Sequence, residues 1–363
     1  TLLAAAVVLG LGAWQARGLK TGDLGQGIPE LRDDSRYNRD TAVITGNFAI
    51  GVDVLAVIAQ TENVPGACTN YEIMDAIDGF EWRLRNVAGV QSVLALPGVA
   101  KIIHAGWNEG SLKWRALPRN PLVLAQSVTP VDTSSGLLNS DCSAMQVLVF
   151  TRDHQGETIA GIVHAVKEAG AGIQSDKLGF LLAGGNVGVM AATNEAVDAA
   201  ESGMLLSIFG ALILFCLATF RSWRAALCIL PPLVLASVLC QALMALLGIG
   251  LKVSTLPVIA LGVGIGVDYG IYLYERMRHE LQQNAAGLRD AFAEALRQRG
   301  TAVLFTAVTM SVGVGSWAFS ALKFQADMGL LLAFMFLVNM LGAILLLPAL
   351  AAFLLRPGTR RAG

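Results

Sequence analysis

Several stretches of this chain are too long and too apolar to be core helices of a water-soluble domain. They run roughly from Met204 to Phe220, Ala225 to Leu247, Leu256 to Tyr274, Ala302 to Ala318 and Met328 to Leu355, the last interrupted by Asn339 and Pro348. A helix needs about 20 apolar residues to cross a bilayer core, and these blocks reach that length once flanking residues are counted. A sixth block, Thr1 to Trp14, is shorter. It lacks the basic leader and the small-residue cleavage site of a signal peptide, so we read it as a truncated first transmembrane helix, residues 1–14.

Orientation follows from the Lys and Arg residues of short loops, which favour the cytoplasmic side. Arg221 and Arg224 lie between the second and third spans. Arg276, Arg278, Arg289, Arg297 and Arg299 lie between the fourth and fifth, and Arg356, Arg360 and Arg361 follow the sixth. All three regions share one side if every helix spans. That places residues 15–202 on the extracytoplasmic side, a bundle at 203–355 in the membrane with a cytoplasmic amphipathic helix at 280–299, and a basic cytoplasmic tail at 356–363. The amphipathic helix has Leu288, Ala291, Phe292, Ala295 and Leu296 on its apolar face.

The outer segment reads as mixed α and β. Strands are expected over Phe48–Thr61, Gly89–Leu96 (stopping at Pro97), Ala144–Phe150 and Phe180–Ala183. Helical spacing of apolar residues occurs over Tyr71–Val87 and Glu157–Ala169. The order β-α-β, insertion, β-α-β suggests a ferredoxin-like unit. The stretch from His104 to Asp141, with its prolines and tryptophans, reads as a long irregular flap. Cys68 and Cys142 lie in this segment. They can pair if it faces an oxidising compartment and if the fold brings them together, which the sequence alone leaves open.

The formal charge of −1 and the lack of a basic face argue against nucleic acid as a partner. No phosphate-loop signature appears, and the four histidines show no metal-ligand spacing, so neither an ATPase nor a metal site is expected. The chemistry concentrates in Leu261-Gly-Val-Gly-Ile-Gly-Val-Asp-Tyr-Gly270. Asp268 is the acidic residue deep in an apolar span, and an ionisable group there is a functional-site hypothesis by default. Gly262, Gly266 and Gly270 recur every four residues as a strip for close helix approach. Asp268 lies about 160–200° around the helix from that strip, with Gly264 one turn before it on its own face. Thr306 and Thr309, three apart in the fifth span, and Ser311 are candidate hydrogen-bond partners, although membrane hydroxyls often bond back to their own helix.

The segment Gly262–Tyr274, together with the layout of one span, a large outer domain and five more spans, resembles the resistance–nodulation–division (RND) superfamily. Asp268-Tyr269 is similar to the Asp-Tyr pair of its MmpL-type and hopanoid-exporter branch. The resemblance implies an α-helical bundle of six transmembrane helices per half, with a ferredoxin-like, porter-like domain outside. It further implies a proton-driven exporter rather than an enzyme, located in the bacterial inner membrane, with protons as the coupling ion and no other cofactor. Asp268, Tyr269, Thr306 and Thr309 would form the proton relay. The expected partners are membrane lipids, a second RND half (upstream in the same chain or in an oligomer), a hydrophobic or lipid-like substrate and a periplasmic protein. Two rivals have the same general layout: a SecD/SecF-like accessory subunit of protein secretion and a non-transporting sterol or lipid sensor. No intramembrane Lys of the drug-efflux type is seen, which favours the lipid branch.

Overall fold

The computed structural model describes residues 1–25, 27–283 and 287–355. The tail at 356–363 and residues 284–286 of the expected 280–299 helix lie outside these. The described chain divides into two compact units. One contains residues 25–27 and Asp33–Asn194, and the other contains Thr1–Leu24, Ile28–Arg32 and the chain from Glu195 onward.

The chain starts with helix α1 (Leu2–Ala16). At 15 residues it rises only about 22 Å, short of the roughly 30 Å hydrocarbon core. Five further helices are long and apolar enough to cross a membrane among the described residues, and α1 is a shorter apolar helix beside them in the sequence.

The mixed unit begins with α2 (Arg36–Asn47), capped by Ser35, whose side chain accepts from the Asn38 amide. Strand β1 is shorter than expected, Val54–Thr61. The residues before it make no ladder. Carbonyls there are taken up instead by side chains, Gln91 Nε2 donating to Phe48 O and Ser92 Oγ to Ala49 O at 2.6 Å. Helix α3 (Tyr71–Arg85) buries Ile73, Met74, Ile77, Phe80 and Leu84, a three-to-four-residue repeat that makes one apolar face. Strand β2 spans Val90–Leu94 and stops before Pro97. That proline instead occupies the first turn of α4 (Leu96–Trp107), where its missing N–H has no intrahelical partner to lose.

The expected flap is only partly irregular. It holds the end of α4 and a further helix, α5 (Pro121–Val128), capped by Asn120 and anchored by the buried Leu124 and Val128. A disulfide joins Cys68 to Cys142 across a sequence separation of 74. Strand β3 (Ala144–Thr151), helix α6 (Gly156–Ala171) and strand β4 (Leu178–Gly184) complete the unit. The four strands form an antiparallel sheet in the order β2-β3-β1-β4. Leu55, Val57, Ala59, Val147 and Val149 of the central strands pack in one core with the apolar faces of α3 and α6. Phe80 stacks on Phe180 with ring centroids 4.1 Å apart.

Helix α7 runs unbroken from Gly185 to Phe220, so the boundary expected near Ser202 falls inside a continuous helix. Gly185 adopts φ +79°, and a Cβ there would collide with the Val54 carbonyl, so the turn from β4 into α7 requires glycine. Helices α8 (Trp223–Leu247), α9 (Leu256–Gln283), α10 (Leu288–Ala295), α11 (Thr301–Gly315) and α12 (Lys323–Leu354) follow. Residues 280–283 belong to α9, and Leu296–Gly300 form a π-helical turn linking α10 to α11. The expected amphipathic helix is thus split between elements. Its apolar residues Ala291 and Ala295 are fully buried in the bundle core, with Leu288 and Phe292 packed against it. Large apolar side chains such as Leu206, Phe215, Phe305, Val312 and Phe353 stand exposed on the long helices, as the outer surface of a bundle facing lipid would have them.

One buried carboxyl in the mixed unit has a measurable signature. Glu81 is only 2% exposed. It is paired with Arg85 and abuts Gly98 in the first turn of α4. Burial pushes its carboxyl up to about 7, against the opposing pull of Arg85. A folded-state value above the unfolded one means the associated stability is present below about pH 4.5 and is lost as pH rises through about 7. Melting of the detergent-solubilised protein should therefore fall from pH 5 to pH 8 by a Glu81-dependent part on the order of 2–3 kcal/mol. In Glu81→Gln that part of the slope should be missing, and an unchanged slope would show that Glu81 titrates normally.

Candidate functional site

Four glycines between Leu261 and Gly270 would weaken a helix in water by about 1 kcal/mol each. Within a bilayer every backbone group must be bonded internally, and α9 is helical throughout this segment. Gly262, Gly266 and Gly270 are buried, each beneath a neighbouring side chain. A Cβ on Gly262 would press on Met335, one on Gly266 would collide with Asn339, and one on Gly270 would stand 3.1 Å from Ile229. The strip is the surface on which α12 and α8 close against α9.

Asn339 is the polar member of that contact. It is 1% exposed, and its Nδ2 donates to the Gly262 carbonyl at 2.9 Å. Its Oδ1 is buried without a partner. In the sequence Asn339 stands out only as an interruption of an apolar run. The available signal was an amide in the middle of a 32-residue helix that is otherwise apolar around it.

The opposite face of α9 is open. Gly264 and Asp268 are exposed, as are Leu261 and Tyr272. Their spacing of three and four residues makes one continuous stripe. A Cβ at Gly264 would meet nothing within 4 Å. Asp268 thus sits on a face that its own bundle leaves uncovered. Tyr269, the next residue, points the other way. It is 1% exposed and packs with Leu273, Val303, Ala307, Met340 and Ala343, its hydroxyl buried without a partner.

The fifth-span hydroxyls behave unevenly. Thr306 and Thr309 are both exposed, and no hydrogen bond links either to Asp268. Thr309 Oγ1 donates to its own helix, to Phe305 O at 2.6 Å. Ser311 is buried and donates to Ala333 O of α12 at 3.3 Å, so it ties helices together. Cys216, Cys228 and Cys240 are buried free thiols in the bundle. Among the described residues no three His, Cys, Asp or Glu side chains are grouped to hold a metal ion.

The profile of the MMPL family matches residues 55–362. The chain belongs to the MMPL family. That assignment covers both the mixed unit from β1 onward and the helical bundle. Two curated relatives carry only the name "Putative membrane protein". One, from Methanocaldococcus jannaschii, is 30% identical over 145 residues, which is 40% of this chain and 37% of the relative. The other, from Streptomyces coelicolor, is 32% identical over 162 residues, which is 43% of this chain and 22% of the relative. The matched stretches thus span well under half the length of these relatives.

The geometry of this MMPL chain gives Gly266 and Gly264 different surroundings. Gly266→Ala places a methyl where Asn339 now sits, so it should break the Asn339–Gly262 hydrogen bond and lower stability by about 1–3 kcal/mol. Gly264→Ala enters open space and should leave melting within about 0.5 kcal/mol of the parent. Thermal unfolding of the two variants in detergent checks this, and equal melting would remove Gly266 from the packing contact.

Proposed function

We propose that this chain is a half-transporter unit of a proton-driven RND exporter that moves hydrophobic or lipid-like molecules, with Asp268 as the proton carrier. The observation that carries the reading is the asymmetry of α9. One face is locked to α12 and α8 through glycines and Asn339, while the other presents an acid, at mid-helix, to whatever lies outside this bundle. In lipid alone such an acid is costly. A second bundle or a hydrated gap against the stripe Leu261, Gly264, Asp268 and Tyr272 would resolve that cost and give protons a route.

Each elementary charge crossing the membrane is worth about 2.3 kcal/mol per 100 mV. Protonation and release at Asp268 would thereby favour alternate packings of its face of α9 against the second half. Thr306 is retained as a relay candidate because its hydroxyl lies on the exposed side of α11. The role assigned to Thr309 is weaker, since its hydroxyl is already bonded to its own helix. We read the mixed unit as a ferredoxin-like porter domain. What supports this is its strand order β2-β3-β1-β4 with helices connecting β1 to β2 and β3 to β4. Its position outside a cytoplasmic membrane rests on the arginines between α7 and α8 and at the end of α9. The disulfide between Cys68 and Cys142 agrees with an oxidising compartment.

Two measurements test this. Asp268→Asn keeps the size of the side chain and removes its proton, so the full-length native protein carrying it should insert normally and lose substrate export together with proton flux into proteoliposomes. Export at the parental rate would eliminate the carrier role. Lys113→Cys places a thiol on an exposed position of the mixed unit. An impermeant maleimide should label it in intact spheroplasts, whereas labelling only after lysis would invert the topology.

A further inference from the structure

Helix α3 of the mixed unit carries a notch that the transport reading does not use. Asp75, Gly79 and Trp82 are spaced four and three residues apart, so they share one face of the helix. Gly79 sits in the interior of that helix, where glycine is less favourable than alanine. Nothing in the packing calls for it. A Cβ there would meet nothing within 4 Å, and its φ is not positive. The space it leaves open belongs to a cavity of about 290 Å³, walled by Asp75, Asp78, Glu81, Trp82 and Arg85 of α3 and by Lys101 of α4.

Both cations of this cavity are already engaged. Lys101 Nζ bonds to both oxygens of Asp78. Arg85 Nη2 is paired with Glu81 Oε1 and donates to the Val93 carbonyl at 3.2 Å. Two acceptors are left over. Asp75 is exposed and carries no cation, its Oδ1 accepting from the Tyr71 hydroxyl at 3.2 Å. Glu81 is 2% exposed, and its Oε2 is buried without a hydrogen-bond partner. Trp82 stands beside them 69% exposed. The common complement of these three side chains is a positive group that can donate. An indole attracts cations over its ring, and a primary ammonium brings its charge and three N–H donors on one compact atom. A quaternary ammonium would suit the ring and leave both carboxylate oxygens without a donor.

We propose that the notch at Gly79 binds a primary ammonium group, carried by a small organic amine or by the headgroup of an aminolipid, through Asp75, Trp82 and Glu81. The exposed pair, Asp75 and Trp82, makes the first contact, and the buried Glu81 is reached last. Binding is thereby linked to protons. Burial holds the Glu81 carboxyl up at about 7; Arg85, Lys101 and the Gly98 amide oppose that rise, and Asp78 adds to it. A further cation beside Glu81 favours its ionised form. The bound state therefore releases a proton, and affinity rises as pH passes upward through about 7. This site does not rest on the role assigned to Asp268.

The test uses the full chain in a maltoside detergent, labelled with fluorotryptophan, the Trp82 signal being identified by its loss in Trp82→Phe. Butylammonium should shift that signal saturably. At equal ionic strength tetramethylammonium, which has no N–H, should bind at least about fivefold more weakly. Asp75→Asn should weaken butylammonium by up to about fivefold, the worth of one exposed ion pair. Gly79→Leu fills the notch with a better helix former, so melting should not fall while the saturable shift disappears. Between about pH 6 and pH 8 the affinity should rise by up to about tenfold, following the ionised fraction of Glu81, and Glu81→Gln should flatten that rise. Bicelles containing phosphatidylethanolamine, set against phosphatidylglycerol alone, separate the two sources: competition assigns the site to the lipid headgroup, and its absence assigns it to a free amine. A Trp82 signal that butylammonium leaves unmoved, equal binding of tetramethylammonium, or full binding by Gly79→Leu would overturn the site. If Glu81→Gln fails to fold, the pH dependence of the parent decides the part of Glu81, and a flat profile removes it.

Discussion

The close approach of α9 to α12 is the contact on which the membrane bundle depends. Helices in lipid gain nothing from expelling water, since the surroundings are already apolar, so association relies on van der Waals fit and on hydrogen bonds between helices. Gly262 and Gly266 remove the side chains that would hold the helices apart, and Asn339 fills the space and bonds to the Gly262 carbonyl. Neither feature works alone. Without the glycines the amide has no room, and without the amide the strip would be only a smooth surface. Gly342 of α12, beneath Pro232 of α8, repeats the device at the next helix. The bundle is built from small residues set against specific large or rigid ones.

The mixed unit is held by different physics. Its core is made of Val, Leu, Ile and Phe from the central strands and from α3 and α6, where burial of apolar surface from water is the main driving force. Polar groups inside it are each given a structural task. Glu81 sits between Arg85 and the first turn of α4, and Asp53 is held by Asn186. The disulfide between Cys68 and Cys142 ties the turn before α3 to the loop before β3. It shortens the free chain by a loop long enough to lower the entropy of the unfolded state substantially.

What the sequence disclosed divides along the same line. The long spans were legible because a run of 17 or more apolar residues has few other solutions. Asp268 was legible because a charge in such a run is conspicuous. The helices α3 and α6 were legible from their periodicity, and β1 from its run of Val, Ile and Ala. Helix α2 was not, because Arg36–Asn47 is largely polar and has little apolar stripe to read. Helix α5 was hidden by its prolines, although Pro121 in fact marks its first turn. Contacts between distant residues were out of reach. The bond of Asn339 to Gly262 spans 77 positions and that of His154 to Asp53 spans 101, and no local pattern encodes either. For Thr309 the residue type suggested a relay, while the local geometry gave the hydroxyl to its own backbone.

The pairing of Asp268 with Tyr269 shows how one dipeptide can serve two surfaces. Successive helical residues lie about 100° apart. An acid on the open stripe is therefore followed by a ring turned into the bundle, against Val303 and Ala307 of α11 and Met340 and Ala343 of α12. Any rotation of α9 that moves Asp268 relative to its surroundings must also move that ring within a packed interior. Close-packed interiors shift between discrete arrangements rather than deforming smoothly. At Gly262 and Gly266, Met335 and Asn339 of α12 pack directly on α9, and the Asn339 bond to the Gly262 carbonyl opposes sliding along the helix. Under the carrier role proposed for Asp268, a change of charge at that exposed carboxyl would be felt, through the geometry of a single helix, as a change of packing at two of its neighbours.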